Sequence, residues 1–267
     1  MNRERAPAGV NVTRPSPARI YDYLLGGKDN FAADRAAAER LLAHAPDAGS
    51  ACRANRAFLR RAVHYLSGQG VRQFIDIGTG LPTQGNVPEV ARAADPDARV
   101  VCVDSDPIVI THAQALLPAG DRTAVVGADM REPQVILRHR EVRRLIDFSQ
   151  PVGVLFAAVL HFATDADDPD GIVRAFGERM APGSYLVLSH DTTEGHALEL
   201  ITLGKEVYSG ATAPMVMRSR EAILGLFEGF ELLVPGLVRL GEWRPDTLRE
   251  RQERGGHWLL CGVGRRP

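Results

Sequence analysis

The chain has 267 residues, 45% hydrophobic and 24% charged, which is enough apolar surface for one sizeable core and excludes disorder over its whole length. Lys and Arg number 32 against 33 Asp and Glu, a formal net charge of -1 with the signs interspersed. That balance argues against a broad nucleic-acid or anionic-lipid footprint, and the one basic stretch, Arg138 to Arg144, reads as a solvated helix face.

Residues 1–16 carry prolines and no apolar leader, and read as a mobile tail. Helices are expected over 18–25 and 32–44, separated by Gly26-Gly27-Lys28-Asp29-Asn30. A third is expected from an N-cap at Ser50 through Leu66, with Phe58, Leu59, Ala62, Val63 and Leu66 on one face. Residues 17–70 thus form a helical extension. Beyond it, apolar runs at 73–77, 99–104, 123–127, 152–158 and 184–189 alternate with helical segments, the pattern of βαβ units around a parallel sheet. Helices over 197–208 and 219–227 and a closing antiparallel couple, 230–234 with 257–263, complete the chain. The expected fold is α/β, a doubly wound, mostly parallel seven-stranded Rossmann-like sheet, with 71–267 as one globular unit.

The longest apolar run, residues 152–163, is shorter than the roughly 20 residues a membrane helix needs. Cys52, Cys102 and Cys261 are dispersed, without C-x-x-C or metal-ligand spacing, and fit a reducing compartment. A cytoplasmic protein without a membrane span or bound metal is expected. The acidic segment 165–171 does not match a calcium loop, because Gly171 stands seventh rather than sixth; Asp168 or Asp170 suits an N-cap instead.

Three strand ends point to a ligand. Asp76, Gly78, Thr79 and Gly80 follow the first strand, where a glycine turn lets the backbone approach a nucleotide-like molecule. Asp104, followed by Ser105, ends the second strand 24 residues beyond Gly80 and suits both hydroxyls of a ribose. Asp129 and Met130 follow the third, where a carboxylate meets an adenine amino group and a thioether packs on the ring. The dinucleotide pattern wants a third glycine where Thr83 stands, after Pro82, so a pyrophosphate is poorly held. S-adenosyl-L-methionine, an adenosine without phosphates, suits the site better, with Asp76 placed for its ammonium.

The stretches PSPARIYDYLLGGKDNFAADR, ANRAFLRRAV, QFIDIGTGLPT, ARVVCVDSDPIV, AVLHF, APGSYLVLSH and PGLV…WRPD extend the case over nearly the whole chain. In these the sequence resembles the actinobacterial S-adenosyl methyltransferases once grouped as a domain of unknown function, a branch of the class I, Rossmann-like methyltransferases. The resemblance implies S-adenosyl-L-methionine as cofactor and methyl transfer to an unidentified, small-molecule acceptor. Leu81-Pro82 stand where the wider class has a small residue, leaving the cofactor's carboxylate short of a contact. Lys28 and Asn30, folded over the cleft beside Tyr21 and Tyr23, are expected to supply it. The competing reading makes Gly26 a helix C-cap and Asp29 or Asn30 the next N-cap, with no ligand involved.

His161, just past the fourth strand, is the leading candidate for a general base, since imidazole titrates near neutral pH; His190, a second catalytic candidate, stands with Asp191 at the end of the fifth strand, where the pair suits either the acceptor pocket or a local cap. A histidine at a strand end is more often a structural hydrogen-bonder than a base. Tyr208, Met215, Met217 and Arg218 are expected to form one wall of the acceptor pocket. A cofactor-binding regulator without chemistry and a nicotinamide oxidoreductase remain alternatives. A homodimer through the exposed edge of 257–263 is a further possibility.

Overall fold

The computed structural model describes residues 10–82, 85–117, 121–252 and 255–267. The five apolar runs become parallel strands, β1 (Gln73–Ile77), β2 (Arg99–Asp104), β3 (Thr123–Gly127), β4 (Gly153–Ala157) and β5 (Tyr185–Asp191), side by side in the order β3-β2-β1-β4-β5. The near-continuous burial of β1, β4 and β5 follows from helices covering both faces, whereas β3 at the sheet edge is only half-buried. Between β1 and β4 the direction of winding reverses. The carboxyl ends of the strands open a crevice there, the usual ligand position in such sheets.

The closing strands differ in detail from expectation. β6 (Glu231–Leu232) and β7 (Val238–Arg239) each contribute two residues and pair with opposite ends of β8 (Leu259–Arg265), which runs antiparallel to β5. The described sheet therefore has eight strands rather than seven, because one edge position is shared by two short segments. β8 is flanked on both sides, so it offers no free edge for a dimer.

The N-terminal layer is built from α1 (Pro17–Leu24), α2 (Ala32–Leu42) and α3 (Ala48–Gly68). The crossovers use α4 (Val87–Ala94), α5 (Pro107–Leu116), α6 (Pro133–Arg138), α7 (Arg140–Leu145) and α8 (Pro169–Gly177). α9 (Leu198–Ser209), α10 (Arg220–Gly225) and α11 (Leu248–Arg251) belong to the last third. α3 packs the predicted face, Phe58, Leu59, Ala62, Val63 and Leu66, against Phe74, Val100 and Trp243 under the sheet. Trp243 is fully buried, edge-on to Phe58 at 5.5 Å between ring centroids. α3 begins earlier than expected, after Asp47; Ser50 lies inside it, and its hydroxyl accepts a bond from Arg53 at 2.6 Å instead of capping. At α8, Asp168 is the N-cap, its carboxylate accepting the Gly171 N–H at 2.9 Å.

Residues 1–9 of the expected tail, and Thr83, lie outside the described residues. Residues 10–16 are held in place rather than free. The Arg14 guanidinium donates to the Ala211 carbonyl at 2.6 Å, and the Thr212 N–H to the Pro15 carbonyl at 2.9 Å. A buried ion pair, Arg19 with Asp34 at 3.0 Å, anchors the same corner; Asp34 also accepts the Ser16 N–H, and Arg19 donates to the Arg14 carbonyl. Among the described residues no helix is long and apolar enough to cross a membrane.

Candidate functional site

A cavity of about 380 Å³ opens at the carboxyl ends of the strands, within the size range of small-molecule sites. One half is the glycine turn. Gly78 and Gly80 adopt φ values of +69° and +66°, the left-handed region that favours glycine. A Cβ on Gly78 would stand 2.2 Å from Val159, so the turn must pass beneath that side chain as bare backbone. The Gly78 and Thr79 N–H groups donate to the Val103 carbonyl on β2, tying the turn to the neighbouring strand.

Asp104 completes that tie. One carboxylate oxygen accepts the Gly80 N–H at 3.0 Å and the other the Asp106 N–H at 2.9 Å, and burial pushes the carboxyl up to about 6. Asp76 is buried beside it and accepts the Thr79 hydroxyl at 2.6 Å; burial raises its carboxyl too, against the pull of that bond. Ser105, Asp129 and Met130 also line the cavity, and the Asp129 carboxylate is held by Arg131 at 3.0 and 3.1 Å. The three strand ends predicted from sequence are thus brought together on one wall.

The segment 26–30 does not reach that wall. Gly26, at φ +82°, and Gly27 donate their N–H groups back to Tyr23 and Asp22, which closes α1 with a Schellman motif. The Asp22 carboxylate then gathers the loop, accepting the Asp29 N–H and the Asn30 side-chain amide, both at 2.9 Å. Asn30 is buried in this role, while Lys28 is exposed, lies off the cavity lining and has no side-chain partner among the described residues. The expectation that both contact a ligand carboxylate is therefore corrected, and the helix-cap reading holds for Gly26. It does not hold for Asp29 or Asn30, since α2 starts after Phe31, whose N–H bonds Asp34 at 2.8 Å.

A different cation stands in the cavity. Arg56, on α3, has its guanidinium carbon 5.6 Å from the Tyr21 ring centroid and one long bond, 3.5 Å, to the Leu81 carbonyl. Its Nε is buried without a hydrogen-bond partner. An unpaired buried donor costs about 1–3 kcal/mol, so this arrangement suits an anionic group that completes it. Tyr21 forms part of the same wall, donating its hydroxyl to the Cys52 carbonyl at 2.9 Å and accepting from Asn55 at 3.2 Å. Sequence reading missed Arg56 and Asn55. The available signal was the polar pair itself, set between the buried Cys52 and Leu59 at helical spacing.

At the other end of the cavity His161 and Asp191 face inward with Tyr208, Met215 and Met217. The His161 Nδ1 accepts the Asp191 N–H at 3.3 Å and lies 3.4 Å from its carboxylate; burial, aided by the Arg218 charge, lowers the imidazole to about 3. His190 points the opposite way, as strand alternation requires. Its Nδ1 donates to the Asp191 carbonyl at 2.7 Å and its Nε2 accepts from Arg218 at 2.9 Å, both residues buried behind the cavity wall. His190 is thereby corrected from candidate base to structural hydrogen-bonder. Arg218, expected on the pocket wall, sits in this network and also donates to Ala163 and Asp165.

The profile of a family described as S-adenosyl methyltransferase matches residues 3–267. No curated protein matches the chain. Among solved structures, a proposed methyltransferase of Thermobifida fusca is 41% identical, with a TM-score of 0.91 over 97% of this chain and 98% of that one. A DUF574 family protein of Streptomyces avermitilis is 39% identical, with a TM-score of 0.90 over 96% and 100%. An O-methyltransferase family protein of Burkholderia thailandensis, 13% identical with a TM-score of 0.51 over 78% and 55%, shares the fold alone.

Proposed function

The chain belongs to the S-adenosyl methyltransferase family, and from that premise we propose that it methylates a small-molecule acceptor held against the cavity wall of His161, Asp191 and Tyr208. The observation that carries this reading is one continuous cavity, with Asp76, Asp104 and Asp129 at one end and an apolar, partly polar chamber at the other. Asp104 is suited to accept the ribose hydroxyls, Asp129 and Met130 to meet the adenine, and Asp76 to accept the ammonium. The Arg56 guanidinium, with its Nε unpaired, fits the carboxylate of the methionine moiety. When bound, S-adenosylmethionine supplies an electrophilic methyl on a sulfonium.

The chain's own contribution is alignment and desolvation, and alignment alone can lower such a barrier by up to roughly 7–11 kcal/mol. Phe162, Leu200, Leu203, Met215 and Met217 give the acceptor chamber an apolar lining, which favours a compact, largely apolar molecule over a polymer. Calorimetric titration with S-adenosylmethionine, S-adenosylhomocysteine and NAD tests the cofactor half. Micromolar binding of the first two, without NAD, is expected; binding of NAD alone would overturn it. Formation of S-adenosylhomocysteine in the presence of fractionated small metabolites, and none with nucleic acid or protein fractions, tests the acceptor half.

A further inference from the structure

We infer that Asp191 is the catalytic base of this site, and that the acceptor is an apolar-bodied small molecule that reacts through an O–H or N–H. The inference rests on the methyl-transfer reading above. Asp191 is the last residue of β5, and the alternation that turns His190 into the buried Arg218 network turns Asp191 into the cavity. Its carboxylate accepts no hydrogen bond among the described residues, and His161 Nδ1 lies 3.4 Å from it. That nitrogen already accepts the Asp191 backbone N–H, which leaves the imidazole proton on Nε2 and nothing to donate toward the carboxylate. A partly buried carboxylate with open lone pairs facing a ligand chamber is a proton acceptor awaiting a donor.

The other acidic groups packed around it stay neutral near pH 7. Tyr21 from α1, Cys52 from α3 and Tyr208 from α9 stand near it, and burial raises all three, Cys52 to about 12, so they remain neutral. His196 beyond β5 pulls the carboxyl down, but burial dominates and pushes it up to about 7. His161, held near 3, is too weak a base to compete at neutral pH. In the step itself the acceptor's lone pair forms the new bond to the methyl carbon, the carbon–sulfur bond breaks with its electrons left on sulfur, and the O–H or N–H proton passes to the Asp191 carboxylate. The thioether S-adenosylhomocysteine and the protonated Asp191 balance the charge.

Sinefungin, which carries a cationic amine in the position of the transferable methyl, tests this without knowledge of the acceptor. Calorimetry at pH 8 is expected to show sinefungin bound about tenfold or more tightly than S-adenosylhomocysteine, the gain of one charge-assisted hydrogen bond. Asp191→Asn is expected to abolish that preference while changing the affinity for S-adenosylhomocysteine by less than about threefold. In the wild type, with no substitution at all, the preference is expected to fade as pH falls below about 7. A preference that survives Asp191→Asn, or that His161→Gln removes instead, overturns the assignment to Asp191. Failure of the wild type to bind S-adenosylhomocysteine overturns the methyl-transfer reading and this inference with it.

Discussion

Arg56→Ala and Lys28→Ala are expected to separate sharply. Arg56 spends its guanidinium on one 3.5 Å contact and a stacking arrangement over Tyr21, with Nε unpaired, so the ligand-free protein loses little when it is truncated. Stacking of that kind is worth about 0.5–2 kcal/mol, and relief of the unpaired donor offsets part of it. Binding is another matter. A charge-assisted hydrogen bond to a carboxylate contributes about 1.5–3 kcal/mol, so Kd for S-adenosylhomocysteine should rise roughly 10- to 150-fold in Arg56→Ala. Lys28, exposed and off the cavity lining, should leave Kd within about twofold when truncated. Calorimetry gives both constants, and thermal melts with and without ligand give the matching stability changes. A loss of affinity in Lys28→Ala with none in Arg56→Ala would refute the placement of the carboxylate.

Asp104 must be ionised to accept two ribose hydroxyls, and its carboxyl is raised to about 6, so affinity for S-adenosylhomocysteine should be about tenfold weaker at pH 5 than at pH 8. Asp104→Asn should weaken binding and flatten that profile; an unchanged profile would exclude Asp104 from the ligand contact. Gly78→Ala forces a Cβ into Val159 at a left-handed φ, costing about 2–5 kcal/mol from backbone and overpacking together, to be read by urea unfolding. A loss under about 1 kcal/mol would mean the turn is built otherwise. Trp243→Ala empties a fully buried site against Phe58 and Tyr65 and should cost about 3–5 kcal/mol in the same assay, with a loss under 1 contradicting the packing described.

The sheet was legible because burial on both faces leaves a plain signature: runs such as Val100-Val101-Cys102-Val103, here ended by an acidic residue, Asp104, where the ligand crevice opens. The same signature fails at the sheet edge, where β6 and β7 are two residues each and depend on β8 for their pairing rather than on any pattern of their own. Asp76, Asp104 and Asp129 could be placed because strand ends fix where a side chain emerges. Lys28 could not, because a lysine beside two glycines reads alike as a ligand contact and as a solvated turn. The Schellman bonds and the Asp22 carboxylate decide between them only in three dimensions. Arg56 hid in the opposite way, as one arginine among several on a long helix, distinguished by the cavity it meets rather than by its neighbours in sequence. His190 and Asp191 were weighed together, and only the register of β5 against β4 and β8 assigns one to the core and the other to the cavity.

The central claim is that adenosine lies over β1 to β3 with the reacting end of the cofactor directed toward Asp191. A crystal structure of the protein with S-adenosylhomocysteine tests it most directly. The account predicts ribose hydroxyls on Asp104, the amino-acid carboxylate on Arg56 and the sulfur opening toward the Asp191 wall. A ligand whose ribose avoids Asp104, or whose carboxylate is met by Lys28 and Asn30, would contradict it.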